Sequence, residues 1–155
     1  MNCTWASAIV VVAAAVAPRS LAGQGRREAG VQAIVTSADP AAVLGGVYGA
    51  YRVGRRVRVA ATAGLGVAGE GTAWRLEALG HFHFQPETRG GVGLYGGGGL
   101  ALAGGPSTRG YLVVLVGLEA NPGGPRGWSV ELGAGGGLRL GIGYRWRSAG
   151  SRNAR

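Results

Sequence analysis

Residues 138–147 read Leu138-Arg139-Leu140-Gly141-Ile142-Gly143-Tyr144-Arg145-Trp146-Arg147 and alternate in character without a break. The even positions carry Leu, Leu, Ile, Tyr and Trp, and the odd positions carry Arg, Gly, Gly, Arg and Arg. Because successive side chains of a β-strand point to opposite faces of the sheet, the segment predicts a strand with one apolar face that ends in aromatics. A soluble sheet also produces this pattern, so its meaning depends on the rest of the chain.

Seven further segments of alternating character precede this one, and turn residues separate them. They cover residues 31–37, 43–53, 57–68, 74–84, 91–102, 111–120 and 127–134. In the sixth, alternation gives way to a nearly continuous apolar run at 112–116. Eight strands of about 10 residues, tilted by about 40°, cross an apolar band of ~25 Å. We therefore predict an all-β fold, an eight-stranded antiparallel up-and-down transmembrane β-barrel over residues 29–147.

The composition agrees with a single β domain. The chain has 155 residues, of which 33 are glycine and 15% are charged. Glycine inside a helix costs roughly 1 kcal/mol relative to alanine, so this content disfavours long helices. The glycines show no Gly-X-Y period and are mixed with apolar residues, which excludes collagen and simple disorder.

The N-terminal segment predicts export. Residues 6–17 form an apolar run of signal-peptide length, too short for a transmembrane helix. Small residues at Ser20 and Ala22 place a cleavage site after Ala22, so residues 1–22 are predicted to be a signal peptide. Cleavage after Ala17 and an uncleaved anchor are the alternatives, since the segment before the run has no Lys or Arg. Cys3, the single cysteine, falls in this leader, so the mature chain would contain no disulfide.

The pattern resembles the small outer-membrane barrels of the OmpA/OmpX type. The resemblance rests on strand count, alternation and aromatics near strand ends: Tyr51, Trp74, Phe84, Tyr111, Trp128, Tyr144 and Trp146. It implies residence in the outer membrane of a Gram-negative envelope, with membrane lipid, lipopolysaccharide and the assembly machinery as partners. It also implies a structural or surface-interaction role. The family usually ends on a terminal aromatic, whereas here a short polar tail, residues 148–155, follows the last strand.

If the apolar faces meet lipid, the polar faces fill a narrow lumen. We expect a structural charge network there: Arg52, Arg58, Arg75, Glu77, Glu119, Glu131, Arg139 and Arg145. Charges of both signs can pair inside, and unpaired buried charges are costly. An eight-stranded barrel has room for side chains alone, so we expect a packed polar core and no open pore.

His81 and His83 are weak candidates for chemistry. Two histidines at i and i+2 share one face of a strand and could bind a metal or act as a general base. With Ser129 and Glu131 they would form the set of a lipid-modifying hydrolase. Our register points them into the lumen, so we expect a structural role, no catalytic residue, no metal and no cofactor.

Two further readings remain. The formal charge of +9 could suit nucleic acid, but the arginines show no recognised nucleic-acid module, so no nucleic-acid partner is predicted. The chain could also be a secreted soluble β-barrel that binds a small apolar ligand. In that protein the apolar faces would point inward.

Overall fold

A computed structural model describes residues 27–105 and 107–147 of the chain. The predicted signal peptide, residues 1–22, and the predicted tail, residues 148–155, lie outside the described residues. The barrel predicted over residues 29–147 lies almost wholly inside them.

The described chain forms one closed barrel of eight antiparallel strands, so the predicted fold class is confirmed. The strands are β1 (Arg27–Thr36), β2 (Ala42–Arg52), β3 (Val57–Ala68), β4 (Gly71–His83), β5 (Val92–Gly104), β6 (Arg109–Ala120), β7 (Arg126–Ala134) and β8 (Leu138–Arg147). Each strand pairs with the next, and β1 closes the barrel against β8 from Glu28↔Arg147 to Thr36↔Arg139. Among the described residues, no helix is long and apolar enough to cross a bilayer.

The predicted bounds of β3 and β8 match the structure, and those of β1 were too short. The strand was predicted to begin at residue 31, whereas it begins at Arg27. The strand residues that the prediction left out pair with neighbouring strands; Ala29, for example, lies opposite Gly49 of β2 and opposite Trp146 of β8. Neighbouring strands therefore extend β1 beyond the segment that its own apolar residues mark.

The barrel has two ends that differ in their connections. We call the end with Arg27 and Arg147 the terminal end; it also carries the connections 53–56, 84–91 and 121–125. The opposite end carries the connections 37–41, 69–70, 105–108 and 135–137. The longest connection, 84–91, lies at the terminal end, and neither end carries an extended loop in the described chain.

The outer surface is apolar and the interior is charged. Leu112 is 78% exposed and Leu65 is 69% exposed, whereas Arg139 and Glu119 have no exposed surface. The outward apolar side chains include those of every strand, as the alternation of the sequence predicts. Because the apolar faces point outward, the structure disfavours a soluble barrel that binds an apolar ligand inside.

The apolar run at 112–116 arises because both faces of β6 contact apolar surroundings there. Leu112, Val114 and Val116 point outward, while Val113 and Leu115 point into the lumen. There they pack in a cluster with Leu79, Tyr95 and Ala101. A second inner cluster joins Ala42, Leu44 and Ala73. The packed polar core that the sequence predicts therefore also contains two apolar clusters, and β6 contributes to the larger one because residues 112–116 are apolar on both faces.

One lumen glycine is required by packing. Gly117 of β6 faces inward, and a Cβ atom there would overlap the ring of Tyr95. At Gly45 of β2, by contrast, a Cβ atom would meet nothing within 4 Å. The two glycines can therefore be compared directly: the space beside Gly117 is occupied by the Tyr95 ring, and the space beside Gly45 is empty.

We expect Gly117→Val to lower the free energy of unfolding by about 1–3 kcal/mol, because the added side chain displaces Tyr95 in a filled lumen. Gly45→Val should leave stability unchanged within about 0.5 kcal/mol. Urea titration of the barrel refolded in lipid vesicles measures both. Equal losses in the two variants would show that Gly117 is not constrained by Tyr95.

Candidate functional site

The lumen gathers the charged side chains of seven strands. β1 contributes Glu28, β2 Arg52, β3 Arg58, β4 Arg75 and Glu77, β6 Glu119, β7 Glu131, and β8 Arg139, Arg145 and Arg147. Each occupies an inward position of its strand. The eight residues predicted for the lumen all lie in it. The structure adds Glu28 and Arg147 to them.

Glu28 is the centre of a cluster at the terminal end. Its carboxylate accepts hydrogen bonds from Nε of Arg52 at 2.8 Å and from Nη1 of Arg58 at 3.2 Å. Arg147 approaches the same group, with Nη2 at 2.7 Å. One carboxylate therefore joins β1 to β2, β3 and β8 from inside.

Glu119 is the second carboxylate of this terminal-end cluster. Nη1 of Arg58 donates to it at 3.0 Å, and Nε of Arg145 forms an ion pair with its other oxygen. Arg58 thus bridges Glu28 and Glu119 through one nitrogen. The two carboxylates come from strands on different sides of the barrel, so Arg58 spans the lumen.

A second cluster lies nearer the opposite end. Nε of Arg75 donates to Glu77 at 2.6 Å, and Nη2 of Arg139 donates to Glu77 at 2.9 Å. Arg139 also donates to Glu131 at 2.7 Å, and the Tyr95 hydroxyl donates to Glu131 at the same distance. This cluster holds two arginines and two glutamates, so its formal charge is balanced.

The terminal-end cluster has an excess of positive charge that backbone carbonyls offset. It contains four arginines and two glutamates. Arg145 donates to the carbonyls of Asn121 and Gly124, and Arg147 donates to those of Pro122 and Gly124. The carbonyl oxygens of the β6–β7 connection therefore accept the arginine hydrogen bonds for which the cluster has too few carboxylates.

The same contacts hold this connection over the terminal end of the lumen. Pro122 is buried, and Gly123 donates its N–H to the Thr88 carbonyl of the β4–β5 connection at 3.0 Å. Asn121 donates to the Gly91 carbonyl at 2.7 Å. Two connections and two lumen arginines thus form a cap across the barrel.

His81 and His83 lie in the lumen among these groups. Nδ1 of His81 is 3.2 Å from Nε of Arg58, which donates to it. The His83 ring stacks on Tyr95 at 5.1 Å. In the described chain no hydrogen bond joins either ring to Ser129 or Glu131, although His81, Ser129 and Glu131 border the same small void. Within residues 27–105 and 107–147, no group of three or more His, Cys, Asp or Glu side chains is placed to hold a metal ion.

The remaining space inside is small. A void of about 10 Å³ borders His81, Gln32 and Ser129, which is room for about one water molecule. A larger cavity of about 100 Å³ lies at the opposite end, beside Trp74 and Tyr111. These volumes leave the middle of the lumen filled by side chains.

Sequence reasoning missed two members of the network for different reasons. Glu28 precedes the apolar residues that mark β1 and lies just before residue 29, where the barrel was predicted to begin. Continuing the alternation backward from Val31 would have placed it inward. Arg147 lies on the polar face of residues 138–147, and its parity with Arg145 was sufficient to include it.

Comparison with known proteins supports the fold alone. The barrel is similar to the N-terminal β-barrel domain of Pseudomonas aeruginosa OprF, with a TM-score of 0.62, 16% identity, and coverage of 81% of this chain and 100% of that one. It is also similar to Neisserial surface protein A, with a TM-score of 0.59, 15% identity, and coverage of 79% and 96%. No protein-family model matches the chain, and no curated protein sequence matches it. In fold, the chain resembles small outer-membrane barrels, as predicted.

We expect Glu28→Gln to lower the free energy of unfolding by about 3–5 kcal/mol, because three buried arginines lose their shared counter-charge. Glu87→Gln is the matched control: Glu87 pairs with Arg55 at 3.8 Å, and both side chains are largely exposed. It should cost less than about 1 kcal/mol. Urea titration in vesicles compares the two. A small, equal loss in both would show that the Glu28 cluster contributes little.

Proposed function

We propose that this chain is an exported protein of the Gram-negative outer membrane. Its barrel has a structural or surface-interaction role, with no enzymatic activity and no open pore. The observation that carries the proposal is the inverted polarity of the barrel: apolar side chains cover the outside, and paired charges fill the inside. A closed barrel leaves no unpaired strand edge, which is what a hydrocarbon environment demands of a β-structure.

The filled lumen supports the absence of a pore. Arg139, Arg145, Tyr95 and Glu119 are all buried across its interior. The β6–β7 connection is hydrogen-bonded over the terminal end by Arg145 and Arg147. Bulk diffusion of solutes would require these groups to separate, at the cost of leaving buried charges unpaired.

The contacts of the histidines support a non-enzymatic role. His81 accepts a hydrogen bond from Arg58, and His83 lies against Tyr95, so both rings are held by structural neighbours. Neither is placed on the lipid-facing side, where a lipid substrate would lie.

The proposed partners follow from the outer surface. Membrane lipid covers the apolar band, and lipopolysaccharide contacts the barrel where it meets the outer leaflet. The outer-membrane assembly machinery inserts the chain after export through a cleaved signal peptide, residues 1–22. Tyr144 and Trp146, exposed near the end of β8, provide the aromatic signal that such machinery recognises in barrels of this type.

Cell fractionation tests the proposed location. We expect the protein in the outer membrane, and we expect it to migrate faster on gels before boiling than after, because a folded barrel is more compact than its denatured chain. Recovery in the soluble periplasmic fraction would contradict the proposal.

Replacement of the histidines tests the proposed lack of activity. We expect cells with His81→Ala or His83→Ala to have the same lipid A composition as cells with the native chain. Mass spectrometry of extracted lipid A measures this. A change that follows either substitution, with the barrel still folded on gels, would instead favour a lipid-modifying hydrolase.

A further inference from the structure

The outward aromatics of the barrel are concentrated at the terminal end. Tyr51, Trp128, Tyr144 and Trp146 are between 38% and 46% exposed; the last three lie on the adjacent strands β7 and β8, and Tyr51 lies on β2, beyond β1. Trp128 lies opposite Tyr144, and Tyr144 contacts Trp146 edge to face at 5.1 Å. Aromatic side chains in such positions mark the level of the lipid headgroups.

Two exposed arginines flank this aromatic group on the same outward face. Arg126 of β7 lies opposite Trp146, and Arg27 of β1 lies opposite Tyr51. One strand, β8, lies between β7 and β1, and Trp146 pairs with Arg126 on one side and with Ala29 on the other, so Arg27 lies two residues beyond that level. The two arginines are therefore roughly 10 Å apart across the sheet and about 7 Å apart along it. Both side chains can therefore reach a group that lies above Trp146. We call Arg27, Tyr51, Arg126, Trp128, Tyr144 and Trp146 the terminal-end patch.

The exposed charges of the whole terminal end are also mainly positive, in contrast to those of the opposite end. The exposed charges at the terminal end, besides the two patch arginines, are Arg55, Arg56, Arg89 and Glu87; those at the opposite end are Asp39, Glu70 and Arg109. The terminal end is therefore strongly basic, while the opposite end has a slight negative excess. In the described chain, neither Arg27 nor Arg126 forms an ion pair, since the acids of the barrel are buried or lie elsewhere.

We propose that the terminal-end patch binds the phosphate headgroup of an anionic phospholipid in the adjacent leaflet. This rests on the proposed function, because the patch meets headgroups if the barrel spans a bilayer. Arg27 and Arg126 donate to the phosphate from either side, and guanidinium groups match phosphate oxygens with paired N–H donors. Trp128 and Trp146 contact the glycerol and upper acyl region below it. The lipid thus bridges β7 and β1 across the seam strand β8.

Quenching of tryptophan fluorescence by brominated lipids tests this proposal. The full-length chain with Trp5→Phe and Trp74→Phe retains Trp128 and Trp146 as reporters at the patch. It is refolded in mixed vesicles of phosphatidylcholine and phosphatidylglycerol, with one or the other lipid brominated. We expect phosphatidylglycerol to quench more than its mole fraction predicts. Arg27→Gln with Arg126→Gln should reduce this preference at least about threefold, since each arginine at a membrane surface attracts anionic lipid.

Arg55→Gln with Arg56→Gln is the matched control, because it removes the same charge from the same end but outside the patch. We expect it to keep most of the preference. An equal fall in both pairs would show that overall charge attracts the lipid, and an unchanged preference in the patch variant would also overturn the proposal. Arg126→Gln alone provides a second test if the double variant fails to refold. A chain that inserts into neither lipid would contradict the proposed function itself, which separates that failure from this one.

Discussion

The structure depends on the pairing of charges in a space too narrow for water to replace them. An eight-stranded barrel has an interior just wide enough for side chains. Six arginines and four glutamates occupy it here, and each carboxylate contacts at least one guanidinium group. A carboxylate left alone there would cost several kcal/mol. The register of the seven strands that carry these charges is therefore fixed from inside, because a shift by one residue would exchange the charged face with the lipid-facing one.

The interior contains two charged clusters and two apolar ones. Glu28 and Glu119 form ion pairs with arginines near the terminal end, and Glu77 and Glu131 form ion pairs with arginines nearer the opposite end. The apolar cluster of Leu79, Val113 and Leu115 fills another part of the lumen. Backbone carbonyls of the β6–β7 connection complete the terminal-end cluster by accepting hydrogen bonds from Arg145 and Arg147. Both paired charges and apolar side chains thus fill the lumen of the barrel.

Alternation in the sequence predicted the strand count and the inward face of the eight charged residues named for the lumen, because a period of two can be read from neighbouring residues. It could not predict which charges meet. Arg58 and Glu119 are 61 residues apart, and their contact depends on the diameter of the closed barrel. Nor did it predict the role of the β6–β7 connection, since the sequence of a turn does not reveal where its carbonyls point. The inner side of β6 was ambiguous because both its faces are apolar.

The position of Glu28 on the first strand and Arg147 on the last has a consequence for how the barrel forms. Their ion pair crosses the seam between β1 and β8, so it exists once the sheet has closed. An open sheet of eight strands would hold Glu28 without one partner from the chain's far end, and it would leave two edges unpaired. Both costs disappear in a single step. Closure is therefore cooperative, and the half-closed barrel is disfavoured by electrostatics as well as by its free edges.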